Sequence, residues 1–243
     1  MRTQDHFPQV QQLVSRQLRR WQSEQLARGE KRGEEHPPGG PYLTISREPG
    51  AGALDLGREV ASRLGWEYYD RRLLDRMAVD SELDRQGLDR LENGPHGALH
   101  EAVYFTLDRA YPGHHTYLKR LAALASSLAT NGRVVMVGRG IHLLLPSEWG
   151  VRLRLVAPLE DRVERVRERH DWEESAARSW IEAADRNQND LVKSLLHRDL
   201  ADPHDYDLVL NTTDLAVPAC IDLVVRALWS KLPSHLQKAD GVA

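Results

Sequence analysis

A single cysteine, Cys220, stands in the chain, which excludes an intramolecular disulfide framework and a cysteine-based zinc cluster. No apolar run approaches the roughly 20 residues that a bilayer span requires. The first residues, Met1-Arg2-Thr3-Gln4-Asp5-His6, lack the apolar centre of a signal peptide. An excess of one charge is also missing: 33 basic against 36 acidic residues leave a net −3, so no global field favours nucleic acid or an anionic membrane. The histidines at His96/His100 and His114-His115 have no convincing third ligand nearby, and no metal site is assigned to them. Together these absences lead to the expectation of a soluble, cytoplasmic protein with neither nucleic acid nor membrane as partner. What is present is apolar material, 41% of 243 residues. That suffices for one large α/β domain with an appendage, or for two small domains.

The chain is organised around Tyr42-Leu43-Thr44-Ile45-Ser46-Arg47-Glu48-Pro49-Gly50-Ala51-Gly52-Ala53-Leu54. A β-type run ends in a turn of Gly and Pro and opens into a helical pattern carrying Leu56, Val60, Ala61 and Leu64 on one face. Strand, glycine turn and helix make a phosphate-binding loop, in which backbone N–H groups and the helix N-terminus face an anion. Gly50 and Gly52 tolerate positive φ, and Ala51 and Ala53 are small enough to admit a phosphate. A tight turn with no ligand is the competing reading. Here, too, something is lacking. The Lys expected after the second glycine is Ala53, and the Ser or Thr that would hold magnesium is Leu54.

Residues 1–28 carry an amphipathic helix, with Val10, Leu13, Val14, Leu18 and Trp21 at helical spacing. It either packs on its own domain or serves a homodimer or a protein partner. Residues 29–41 hold four glycines and three prolines and read as a linker. The main domain spans 42–232, and 233–243 form a polar tail. Within the domain, Trp66–Tyr69 reads as a short strand ending at Asp70, followed by a helix from Arg71. Residues 80–115 suggest two irregular helices, and Tyr117–Ala129 a regular one. Val134–Val137 reads as a strand buried on both faces, stopping at Gly138-Arg139-Gly140. Val151–Val156 alternates Val and Leu with Arg152 and Arg154 and reads as a strand nearer the sheet edge. A helical region from Leu159 to Leu196 breaks near His170-Asp171. Asp207–Asn211 is a last strand, and Asp214 begins a helix through Leu232 with Cys220 on its apolar face. The expectation is α/β: a parallel sheet of about five strands with helices on both faces and its sites at the strand carboxyl ends.

Those ends carry the candidate chemistry. Arginine offers a planar fork for phosphate oxygens, so Arg139 and Arg71 could grip the phosphate of an acceptor. Asp70 could orient that acceptor or help a metal shell; equally, it could cap a helix through a salt bridge. Arg162, Arg165 and Arg169 fall on one side of a helix at spacings of three and four. They are either a solvated face laced with weak ion pairs or a lid that closes positive charge over a transferring phosphoryl group.

Several segments together resemble the cytidylate kinase-like family of P-loop nucleoside monophosphate kinases. They are Thr44–Gly52, Tyr68-Tyr69-Asp70-Arg71-Arg72-Leu73-Leu74, Val137-Gly138-Arg139-Gly140, Val156–Arg165, Ala184-Asp185-Arg186 and Asp205–Thr212. The resemblance implies a five-stranded nucleoside monophosphate kinase core with a helical lid around residues 160–190. It implies ATP phosphates held at Arg47, Gly50, Ala51, Gly52, Ala53 and Leu54. It places an acceptor near Asp70, Arg71, Arg139, Asp185, Arg186 and Lys193, with Arg162, Arg165, Arg169 and Asp70 in catalytic roles. Mg2+ would be carried mainly by the nucleotide, and no protein metal ligand is assigned. Departures are specific. Ala51 stands where the family often has Ser, Leu54 where it has Arg, and Gly140 where cytidylate kinases have Asp. The leading expectation is an ATP-dependent phosphotransferase acting on a nucleoside monophosphate, CMP or dCMP among them, or on a similar small phosphate acceptor. The alternatives are a kinase-like protein that binds nucleotide without turnover and a purely structural scaffold.

Overall fold

The computed structural model describes residues 40–79 and 116–231. The expected N-terminal helix, most of the linker, the region 80–115 and the tail lie outside the described residues. Among the described residues, no helix is long and apolar enough to cross a membrane.

The elements alternate along the chain as the spacing of apolar residues requires. β1 (Tyr42–Arg47) leads through the glycine turn into α1 (Ala53–Leu64), β2 (Glu67–Tyr69) and α2 (Arg71–Val79). α3 (Thr116–Asn131) precedes β3 (Val134–Val137), and β4 (Gly150–Val156) precedes α4 (Leu159–His170) and α5 (Glu174–Leu196). β5 (Leu208–Asn211) and α6 (Val217–Lys231) complete the domain. Local chemistry sets the boundaries. α1 stops at Gly65, whose φ of 64° puts it in the left-handed region, and the N–H of Trp66 closes on Ala61 O at 2.8 Å. α4 ends at Asp171, also left-handed at φ 54°, where the sequence reading placed its break.

All pairings are parallel, and the strand order is β2-β3-β1-β4-β5. β1 is central. It pairs with β3 through Tyr42↔Val134 and with β4 through Tyr42↔Gly150, so every strand carboxyl end opens on the same side of the domain. One face of the sheet, with Leu43, Ile45, Val135, Val137, Val151, Leu153 and Leu155, packs on Leu56, Val60, Val224 and Leu228 of α1 and α6. Cys220 belongs to this core, 1% exposed.

The alternation of β4 has a different cause from the one expected. β4 lies one place in from the edge, next to β5, but it is paired on both sides, so an open edge does not account for its arginines. Its arginines point to the second face of the sheet. Arg154 is 7% exposed there and donates to Ser46 Oγ at 3.1 Å, with its guanidinium 5.6 Å from the Tyr206 ring centroid. Arg152 pairs with Asp207 at 3.2 Å. A period of two reports which face a side chain occupies, and it does not say that the polar face meets water.

His142 belongs to the same buried layer, stacked on Tyr206 with ring centroids 4.7 Å apart. Its Nε2 is buried without a hydrogen-bond partner. Burial, aided by the charges of Arg154, Arg152 and Arg198, pushes its pKa down to about 3. The unfolded chain therefore takes up a proton below about pH 6.5 that the folded chain refuses until about pH 3, and stability falls as pH falls through that window. His142→Phe, which keeps the stacking and removes the titration, is expected to abolish that loss, up to about 1.4 kcal/mol per pH unit; urea unfolding at several pH values measures it. On the other face, a side chain at Gly57 would meet Tyr68 Cε2 at 3.0 Å and Ile45 Cδ1 and Val137 Cγ2 at 3.3 Å. Gly57→Leu is expected to cost about 1–3 kcal/mol by overpacking, read as a lower urea midpoint.

Candidate functional site

In an open parallel sheet, ligands bind beyond the strand carboxyl ends where the connections leave the central strand in opposite directions. That place is the end of β1, between β3 and β4. The chain turns there through Gly50 at φ +86° and Gly52 at φ +80°, with Ala51 N–H closing on Glu48 O at 3.1 Å. Gly52 caps α1 with no side-chain hydrogen bond, so the first-turn N–H groups of α1 are left for another acceptor. A side chain at Gly52 would meet nothing within 4 Å, whereas one at Gly50 would strike Arg162 Cβ and O at 2.9 Å. The loop is thus open at Gly52 and sealed at Gly50. Ala51 and Ala53 are buried, and Leu54 packs against the hydrophobic core.

Arg162, Arg165 and Arg169 of α4 are each committed to protein partners. Arg162, 7% exposed, donates from Nε to Ala157 O at 3.0 Å and from Nη1 to Pro49 O at 3.3 Å. The same Nη1 reaches Asp185 at 2.9 Å, and Glu48 lies 3.7 Å from Nε. Arg165 donates to Thr212 Oγ1 at 2.9 Å, and that hydroxyl donates in turn to Ala51 O at 3.2 Å. Arg169 pairs with Asp55 of α1. Glu48 joins the two strand ends by accepting the Ala157 N–H at 3.1 Å, with Arg154 at 3.8 Å. These groups set the shape of the loop. Asp185, expected near the acceptor, is found with Arg162.

A second group of cations is committed differently. Arg47, assigned on sequence to the ATP phosphates, has its guanidinium across Gly138, where a Cβ would lie 2.8 Å from Nη1. Gly138, at φ +94°, leaves that space. Burial, followed by the like charges of Arg71 and Arg139, pulls the pKa of Arg47 down to about 10. Arg139 sits in the left-handed region at φ 60°, pairs with Asp75, and keeps a buried Nε without a partner. Arg71 lies 3.9 Å from Asp75. Asp70 accepts the Leu73 N–H at 3.0 Å, capping α2, with Arg58 at 4.0 Å. The hydroxyl of Tyr68 is buried without a partner, under an Arg58 guanidinium 5.5 Å from its ring centroid.

Asp70, Arg71 and Arg139 are therefore brought together, with Arg47 added. Arg186 and Lys193 are not: both are exposed on α5, and Arg186 is 4.0 Å from Glu182. Sequence reasoning missed Asp75 and Gln188. The i, i+4 spacing of Asp75 from Arg71 was an available signal. For Gln188, which exchanges two hydrogen bonds with Arg47 across the fold, there was none. Among the described residues, no three His, Cys, Asp or Glu side chains are grouped as a metal ion would need.

A cytidylate kinase of Methanopyrus kandleri is 27% identical over 176 residues, 70% of this chain and 84% of that protein. A uronate isomerase of Corynebacterium glutamicum is 30% identical over 132 residues, 47% of this chain but 26% of the isomerase, so the chain spans about a quarter of that relative. The crystal structure of an uncharacterized protein from Eubacterium ventriosum shares the fold at 17% identity and a TM-score of 0.55, covering 78% of this chain and 98% of that one. The model of the cytidylate kinase-like family matches residues 42–214, which include the glycine loop, the Arg139 turn and the whole of α4 and α5. By that match, the chain belongs to the cytidylate kinase-like family.

Proposed function

We propose that the protein is an ATP-dependent phosphotransferase that passes the γ-phosphoryl group to a nucleoside monophosphate or a similar small phosphate acceptor. The observation that carries this reading is the convergence of Arg47, Arg71 and Arg139 beside a glycine loop with open N–H groups. Burial and mutual repulsion make such a cluster unfavourable when empty, and a doubly charged phosphate relieves both. The first-turn N–H groups of α1, reached over Gly52, would hold the phosphates of ATP, which supplies the group to be transferred. Magnesium would be held by phosphate oxygens and water, because Leu54 is turned into the core and offers no hydroxyl. No side chain is needed to ionise the acceptor, since a phosphate monoester is already charged at neutral pH.

The base of the acceptor is less constrained than the family name suggests. Where cytidylate kinases carry an Asp, a side chain on Gly140 would meet Leu196 Cδ1 at 3.0 Å and Val192 Cγ2 at 3.5 Å, on a backbone at φ +68°. α5 fills the space that such an aspartate would occupy. CMP and dCMP remain the first acceptors to try, after the Methanopyrus relative, but this position gives them no preference.

A second reading is favoured by the commitments of α4. Arg162, Arg165 and Arg169 already hold protein partners, so transfer would need one of them to turn toward the phosphoryl group, with a spare N–H or after release of its partner. If none turns, the protein binds nucleotide without turnover.

Purified protein with ATP, magnesium and a panel of monophosphates, assayed for ADP and diphosphates, separates the two. Turnover with at least one acceptor is expected. Arg139→Ala should lower kcat/KM for that acceptor by about 10–100-fold, the loss of a charge-assisted hydrogen bond, with little change in KM for ATP. An unchanged value would remove Arg139 from the acceptor site. Thermal stabilisation by nucleotide with no product on any acceptor would establish the binding reading instead.

A further inference from the structure

The carboxylates near the arginine cluster are unevenly distributed. Asp75 is shared by Arg139 and Arg71, and Asp70 is occupied by the N-terminus of α2 and by Arg58. Arg47 is held instead by a neutral amide. Its Nη1 donates to Gln188 Oε1 at 3.1 Å, while Gln188 Nε2 donates to the carbonyl oxygen of Arg47 at 2.9 Å. One side chain thus grips both the guanidinium and the backbone of the same residue, from a helix 141 positions away in sequence. An amide fixes the direction of a guanidinium without cancelling its charge, whereas a carboxylate in its place would do both.

The position of Gln188 on α5 extends the argument. One turn earlier, Asp185 holds Arg162, whose own backbone closes on Gly50 and whose Nη1 holds Pro49 O. A single turn of α5 therefore touches the loop side through Asp185 and the arginine cluster through Gln188. Arg47 presented by a neutral clamp is preorganised for an anion, and the ordering of a long side chain has been met before the ligand arrives.

We infer that Gln188 is a positioning residue for the acceptor phosphate: it holds Arg47 across Gly138, charged and bonded to an amide instead of a carboxylate, so that Arg47, Arg71 and Arg139 can bind a dianionic phosphate monoester together. This rests on reading that cluster as the acceptor site. The inference concerns acceptor binding alone, so Gln188 should affect the acceptor and not the donor.

Isothermal titration of the full chain with inorganic phosphate, CMP and ATP in separate experiments provides the test. Gln188→Glu, which neutralises Arg47 in place, is expected to weaken phosphate and CMP by about tenfold or more. Gln188→Met, which keeps the bulk and loses the clamp, should weaken them by about threefold to tenfold, both estimates following from charged hydrogen bonds. ATP affinity should move by less than about twofold in each, and thermal melts confirm that both variants are folded. Equal weakening of ATP and CMP would make Gln188 a general structural contact and overturn the inference. So would unchanged phosphate and CMP binding in Gln188→Glu while Arg47→Gln abolishes it, an outcome that leaves the acceptor site standing. Wild-type protein that binds neither phosphate nor CMP would overturn the acceptor site itself and the role of Gln188 with it.

Discussion

The buried guanidinium of Arg162 is the contact on which the shape of the glycine loop depends. It reaches Pro49 O on the loop, Ala157 O at the end of β4, and Asp185 on α5, with Glu48 close by. A charge so placed is tolerated only where most of its donors find acceptors, and here the acceptors come from three separate parts of the chain. Removing any one of them leaves a buried charge incompletely paired, which is far more damaging than losing a surface ion pair. Packing reinforces the arrangement. The backbone of Arg162 sits where a Cβ on Gly50 would have to be, so the glycine at that position answers to the seating of α4.

Seen from Arg162, the cations divide by how their charge is used. Those of α4 are directed at carbonyl, hydroxyl and carboxylate oxygens of the protein, and they determine where the loop lies. Arg47, Arg71 and Arg139 crowd together over two carboxylates that also serve other partners, and Arg139 keeps an unmatched buried Nε. Such repulsion persists in a folded protein when the surroundings hold it in place. Gly138 and Gly140, both at positive φ, shape the turn that carries Arg139 inward, and Gly138 leaves room for the side chain of Arg47.

The architecture was legible because it depends on features with a period. Val134–Val137 reads as a fully buried strand and is one; the break at His170-Asp171 is marked by the left-handed Asp171. The glycine loop, at a strand-to-helix junction, could be read directly, as could the cluster of Asp70, Arg71 and Arg139 at strand ends. Other features depend on which layer covers a face, and a linear pattern does not carry that. The arginines of β4 led to a strand nearer the sheet edge, because alternation separates faces without saying what lies over them. The commitment of Arg162 to Asp185, and of Arg47 to Gln188, required the turn between α4 and α5 to fold one helix back over the strand ends. A glutamine in the middle of a polar helix gives no sign of that beforehand.

The absent lysine of the loop takes on a particular meaning in this setting. A lysine ammonium after the second glycine would supply a mobile point charge; Ala53 supplies none, and Leu54 is held by the core. Positive charge near the loop comes instead from guanidinium groups anchored on other elements, each fixed in direction by its partners. A loop built this way is less able to adapt its charge and more dependent on the seating of α4 and α5. In the proposed site, phosphate would rest on backbone N–H groups and helix geometry alone. In the proposed phosphotransferase, one anchored arginine, Arg165 or Arg169 being the less buried, would exchange its oxygen partner in the protein for one on the phosphoryl group. Since Thr212 is linked both to Arg165 and to Ala51 O, such an exchange at Arg165 would be felt in the loop itself.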